Sequence, residues 1–85
     1  MRYGVRVVPS AKRELRALPK DRYPAIRDAI TALRTHPRPP GNVKLTGSQN
    51  YRVRVGDYRI IYEVDDAGQI VTILRVAHRR EVYRD

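Results

Sequence analysis

The chain contains no cysteine, no tryptophan and no phenylalanine. Without cysteine there is no disulfide, no thiolate nucleophile and no cysteine-based metal site. Small secreted domains commonly need such staples, so their absence favours a reducing cytoplasm. Without Trp and Phe, the six Tyr residues supply all the aromatic bulk. Long hydrophobic runs are also missing. The opening Met-Arg-Tyr-Gly-Val-Arg has no signal-peptide character. No apolar stretch approaches the roughly 20 residues that span a bilayer, so no membrane association is expected. Acidic charge is scarce: 9 Asp and Glu stand against 18 Lys and Arg, giving +9 at pH 7 and a pI near 10.7. A field of that sign attracts polyanions. Arg greatly outnumbers Lys, and its planar fork can hold phosphate bidentately or stack on bases.

What is present fits one domain, residues 1–85. Hydrophobic residues at 41% and charged residues at 32% allow a core and exclude a disordered chain. Residues 3–8 read as a first strand ended by Pro9. Ser10 is a suitable N-cap for a short helix carrying Ala11, Leu15 and Leu18 on one side, closed by Pro19. Asp21 can cap a second helix with Pro24 in its first turn and Ile26, Ile30 and Leu33 as its apolar stripe. The Pro-rich stretch from His36 to Gly41 ends it. The second half is β: a short extended piece at Val43-Lys44-Leu45, then strands at 51–55, 58–65 and 69–78. Gly56-Asp57 makes a two-residue hairpin turn. Asp66-Ala67-Gly68 makes a three-residue loop with Gly68 in the left-handed position. The predicted fold is α+β: an N-terminal strand and an α-helical hairpin packed on a largely antiparallel, twisted sheet of three to four strands.

These turns fix which side chains share a face. Tyr51, Val53, Val55, Tyr58, Ile60, Tyr62, Val64, Ile70, Leu74 and Val76 form the core face. The opposite face collects Arg52, Arg54, Arg59, Arg75 and Arg79, with Ile61, Val71 and Ile73 toward its other end. Arg54 falls opposite Arg59, and Arg59 opposite Arg75. Like charges directly opposed destabilise a sheet, so their repetition points to an anion-binding surface. A four-residue loop would move Arg75 and Arg79 to the other face. The helical half, residues 1–40, carries a net +7, against +2 for residues 41–85. Its basic surface suits a large polyanion such as ribosomal RNA.

The segments Lys44-Leu45-Thr46-Gly47, Tyr51 to Val64 and Arg75 to Arg84 resemble the RelE/ParE toxin superfamily of bacterial type II toxin–antitoxin systems, with the RelE branch favoured. The resemblance implies a ribosome-dependent mRNA endonuclease that cuts in the A site and inhibits translation. It also implies a cytoplasmic toxin–antitoxin hetero-oligomer with a co-encoded antitoxin carrying an acidic or amphipathic segment. The partners in action are then the 70S ribosome and mRNA. On the family's motif, Arg52 and Arg54 are the basic pair of the first hairpin strand, Arg59 the central arginine, Arg79 the late arginine and Tyr83 the C-terminal tyrosine. Some members have Lys where Arg52 and Arg54 stand, and some have Lys where His78 stands. The rival within the superfamily is a ParE-like DNA gyrase poison with no nuclease chemistry.

RNA can be cut without a metal, because its 2′-OH attacks the adjacent phosphate to give a 2′,3′-cyclic phosphate and a 5′-OH. A catalyst must align the nucleophile, stabilise phosphorane charge and move two protons. Arg52, Arg54, Arg59 and Arg79 suit the charge; Tyr83 suits stacking or 2′-OH orientation. Arg is a poor general base, and His78 is the conventional candidate for proton transfer, although alternation points it to the core face. Lys44, Arg75, Arg80, Arg13 and Arg16 are candidates for further RNA contact. No cofactor or metal is implied, since two distant His residues and scattered carboxylates lack ligand spacing. Ile61, Val71 and Ile73, or the exposed side of the helices, offer the antitoxin an apolar patch.

Overall fold

In the computed structural model, which describes residues 2–82, β1 (Gly4–Val7) leads into α1 (Pro9–Arg16) and α2 (Tyr23–Ala32). Then come β2 (Val43–Lys44), β3 (Asn50–Val55), β4 (Tyr58–Asp65), β5 (Ile70–His78) and the short α3 (Arg79–Val82). The strands form one sheet in the order β1-β5-β4-β3-β2. Only β1 runs parallel to its neighbour; the other pairs are antiparallel. The α+β layout holds. The sheet has five strands rather than three or four, because both β1 and the two-residue β2 join it.

Both helix starts depart from the sequence reading. Pro9 does more than end β1: it occupies the first position of α1, after Val8, and Ser10 lies inside the first turn. No side chain caps this end. Proline tolerates that position because its missing N–H would be an orphan there. In α2 the cap is Arg22, not Asp21, and Pro24 sits in the first turn as expected. Both helices lie on one face of the sheet, α1 along β5 and α2 against β3. Ala11, Ile26 and Leu33 meet Ile60, Tyr62, Val71, Ile73 and Val76 in the core. Each fully buried large aliphatic there contributes about 1.5–3 kcal/mol. No helix among the described residues is long and apolar enough to cross a membrane.

The β3–β4 turn is as read: Gly56 takes φ +58 at the first central position, the glycine site of a type II′ hairpin. The β4–β5 turn is not. Asp65 pairs with Ile70, so the loop has four residues, and Gln69 rather than Gly68 is left-handed, at φ +55. Gly68 has a different local fit. Asp65 Oδ1 accepts its N–H at 3.0 Å, and a Cβ there would stand 2.6 Å from Asp65 Oδ2.

A second irregularity follows. Tyr62 pairs with Ile73 but Ile61 pairs with Arg75, so Leu74 is an extra residue, a β-bulge. Each one-residue change turns over the faces downstream; two of them cancel in parity. Before the bulge the assignments reverse: Val71 and Ile73 are fully buried in the core, while Ile70 and Leu74 are half-buried outside it. After the bulge they return to those read from the sequence, so Val76 is core and Arg75 lies outside. The partners have nevertheless shifted by two. Arg59 stands opposite Ala77, not Arg75, and Arg75 stands opposite Ile61.

Candidate nucleic-acid interface

The register of the β3–β4 hairpin puts Arg52 opposite Ile61 and Arg54 opposite Arg59, all on the face away from α1 and α2. Three of the expected arginines are therefore brought together, in unequal states. Arg54 is exposed and Arg52 half-buried. Arg59 is only 7% exposed. Its Nη1 donates to the carbonyls of Gly56 at 3.3 Å and Tyr58 at 3.0 Å, folding the guanidinium back onto the turn. Its buried Nε has no hydrogen-bond partner among the described residues. Carrying a charge at such burial demands compensation, and the turn carbonyls supply part of it.

The fourth arginine arrives through α3. Arg79 donates its backbone N–H to Asp57 O at 2.8 Å, tying the start of α3 to the hairpin tip. The Arg79 and Arg80 side chains are exposed. Tyr83 lies outside the described residues. His78 sits opposite Tyr58, with ring centroids 5.5 Å apart and edge-on. Its Nδ1 accepts the Arg80 N–H at 3.3 Å, so it caps α3. It also lines a cavity of about 210 Å³ with Glu14, Leu18 and Tyr58, on the helix side of the sheet. His78 is thus on the face opposite Arg52 and Arg54, as strict alternation indicates.

Several expected contacts are dispersed. Lys44 pairs with Tyr51 in the ladder and so shares the face opposite Arg52. Arg75 is on the arginine face, but its Nη2 reaches Glu14 Oε2 at 3.2 Å. Arg13 and Arg16 are exposed on α1, a separate surface. The apolar docking patch does not exist as read, because Val71 and Ile73 are fully buried and Ile61 alone remains outside. Among the described residues no group of three or more His, Asp or Glu is placed to hold a metal ion.

A polar cluster at the other end of the sheet escaped the sequence reading. Arg38 grips Asp66 bidentately at 3.1 and 2.9 Å and donates through Nε to Tyr51 Oη at 3.1 Å. Tyr3 donates to the same carboxylate at 2.7 Å. The Arg38 guanidinium lies 5.1 Å from the Tyr51 ring centre, and Tyr51 stacks on Tyr62 at 5.8 Å. Tyr62 donates to Pro37 O at 2.8 Å. The hydrogen bonds from Arg38 and then Tyr3 hold the Asp66 carboxyl below its ordinary pKa, and Asp66 in turn raises that of Tyr3. Burial pushes the Tyr62 hydroxyl up to about 12. The cluster fastens the Pro-rich segment and the start of the chain to the β4–β5 loop. A lone Arg among prolines and an Asp in a turn give no sign of each other in sequence.

Residues 5–83 match the family described as the ParE toxin of the type II toxin–antitoxin system parDE. Toxin RelG of Mycobacterium tuberculosis is 36% identical over 88 residues, covering 99% of each chain. Among solved structures, the toxin–antitoxin complex RelBE2 of the same organism aligns with TM-score 0.82 and 33% identity, covering 93% of this chain and 100% of that one. The archaeal RelE–RelB complex of Pyrococcus horikoshii aligns with TM-score 0.83 and 31% identity, covering 95% and 99%. With the hairpin, sheet order and basic face described above, the chain belongs to the RelE/ParE superfamily of type II toxins, in its RelE branch.

Proposed function

We propose that this toxin is a metal-independent endoribonuclease that cuts mRNA in the A site of the 70S ribosome and so stops translation. The observation that carries the reading is Arg54: an exposed guanidinium directly across the ladder from a second arginine, with no ion pair to a described carboxylate. Such a pair is unfavourable in the free protein and becomes favourable once phosphate enters between the charges. Arg52 and Arg54 stabilise the negative charge that grows on the phosphorane as the 2′-OH attacks. Arg79, carried to the hairpin tip by α3, serves the leaving-group side. Arg59 braces the turn through its carbonyl contacts and adds charge from beneath. Tyr83 orients the 2′-OH or stacks on a base. His78 holds the first turn of α3 on the far face, so in this scheme it positions Arg79, and water takes the 2′-OH proton and delivers one to the departing 5′-oxygen.

Arg13, Arg16 and Arg80 add phosphate contacts outside the reaction centre. The RelE–RelB complex of P. horikoshii and the RelBE2 toxin–antitoxin complex of M. tuberculosis support an antitoxin as the partner in a hetero-oligomer. A co-encoded antitoxin and a cytoplasmic site of action complete the proposal. The test is translation in a purified system. Wild type produces mapped breaks in A-site codons, and Arg54→Ala removes them while keeping its fold. Intact mRNA together with gyrase-trapped DNA breaks defeats the proposal in favour of a gyrase poison.

A further inference from the structure

β1 leaves β5 half-covered. Its last ladder contact is Val8 N–H to Ile73 O, after which Pro9 turns the chain into α1. Beyond Ile73 that edge of β5 has no strand beside it among the described residues, and this is where the bulge at Leu74 lies. Glu14 fills the place. One carboxylate oxygen accepts the Val76 N–H at 2.8 Å, and the other meets Arg75 Nη2 at 3.2 Å. Glu14 is the only acidic residue of α1; Lys12, Arg13 and Arg16 around it all face solvent.

The two contacts select one register. If the Tyr62–Ile73 pairing continued without a bulge, Arg75 would oppose Ile60 on the core face and Val76 would oppose Arg59 outside. The bulge exchanges them, and Glu14 binds both exchanged residues, one by backbone and one by side chain. Downstream of this point the chain delivers Arg79, whose N–H bonds Asp57 at the hairpin tip.

We infer that Glu14 is a positioning residue of the arginine face: by holding Val76 and Arg75 it fixes the bulged register of β5 and thereby the place of Arg79 at the hairpin tip. Arg75, engaged by Glu14, contributes to this register rather than to phosphate binding. The part of the inference that concerns cleavage rests on the nuclease reading above; the part that concerns register does not.

Amide hydrogen exchange on the full chain separates the two. In Glu14→Ala, exchange at Val76 should rise at least tenfold and at Arg79 at least fivefold. Glu14→Gln keeps an acceptor for the Val76 N–H and should leave both near wild type. Glu14→Asp keeps the charge but withdraws it by one methylene, and should resemble Glu14→Ala; it carries the test if the alanine variant does not fold. In purified translation, Glu14→Ala and Glu14→Asp should lower the cleavage rate at saturating toxin about tenfold. The half-saturating toxin concentration should move less than twofold, and Glu14→Gln should stay within threefold of wild type. Fast exchange at Val76 with Arg79 unchanged would make Glu14 an edge cover only and overturn the inference. So would abolished cleavage with both amides unchanged. If wild type cuts no mRNA, the nuclease reading fails, and the amide rates still decide whether Glu14 sets the register.

Discussion

Arg54 stands directly across the β3–β4 ladder from Arg59, yet one guanidinium faces solvent and the other is 7% exposed. The same residue type at paired positions therefore has two physical roles. Arg54→Ala should abolish most cleavage, about 10²-fold in rate, as expected for removing one charge-stabilising donor. It should leave stability unchanged or raise it by roughly 0.2–1 kcal/mol, because an opposed like charge is relieved. Arg59→Ala should instead destabilise, by about 1–3 kcal/mol, since it strips two turn carbonyls of a charged donor. Thermal melts beside cleavage assays on the two variants check this. Equal losses of stability would show that the two arginines are not divided in this way.

The buried half of β5 gives a test of the four-residue loop. Ile73→Ala should cost about 2–5 kcal/mol, as a fully buried Ile leaves a cavity. Ile61→Ala, on the arginine face opposite Arg75, should cost about 1 kcal/mol or less. Denaturant midpoints at constant slope make the comparison. Without the four-residue loop, Ile73 and Ile61 would share a face and lose similar amounts.

How far the sequence could foresee this depends on where alternation was visible. The span of β4, Tyr58–Asp65, was legible because polar and apolar residues alternate between two turn signals. So was the grouping of Arg52, Arg54 and Arg59, which a two-residue turn dictates. The first half of β5 was not. Ile70-Val71-Thr72-Ile73-Leu74 is nearly continuous in apolar character, so no pattern announces which residue is extra. Gly68 is not left-handed: its N–H serves the Asp65 carboxylate, and Gln69 takes the positive φ instead. The partners Glu14–Arg75 and Arg38–Asp66 are 61 and 28 residues apart, beyond the reach of local spacing rules.

The basic helix surface should show itself in salt dependence. If Arg13 and Arg16 each neutralise a phosphate of ribosomal RNA, Arg13→Glu with Arg16→Glu should weaken ribosome binding. It should also flatten the slope of log affinity against log salt, by about 0.7–0.9 for every phosphate no longer neutralised. Co-sedimentation with ribosomes across a salt series measures it. An unchanged slope would assign those exposed arginines to solvent.

The Tyr3–Asp66–Arg38 cluster should act at the acid end of the pH range. Asp66 has its pKa lowered in the folded chain by Arg38 and then Tyr3, so its stabilisation is full above the unfolded value near about 3.9. It is lost as pH falls through the lower folded value. The melting temperatures of wild type and Asp66→Asn should therefore differ at pH 6 and converge toward pH 2, by a small amount because the pair is exposed.

Tyr62 acts at the other end. Its folded pKa of about 12 lies above the ordinary value near 10, because burial disfavours the phenolate. Its contribution is complete below about pH 10 and is lost as pH rises toward about 12. Tyr62→Phe should be less stable at pH 7 by about 0.5–1.5 kcal/mol for the missing bond to Pro37, and should lose less than wild type between pH 10 and 12. Urea titrations at the two pH values compare them.

The extra loop residue and the extra bulge residue also set a rule for insertions and deletions. Adding or removing one residue between Asp65 and Val76 turns every later side chain of β5 to the wrong face, unless a second change of one residue cancels it. Lineages that share the arginine face can therefore lengthen or shorten this hairpin in steps of two. A single-residue gap there, in any comparison of relatives, marks either a bulge that has moved or an alignment that has slipped.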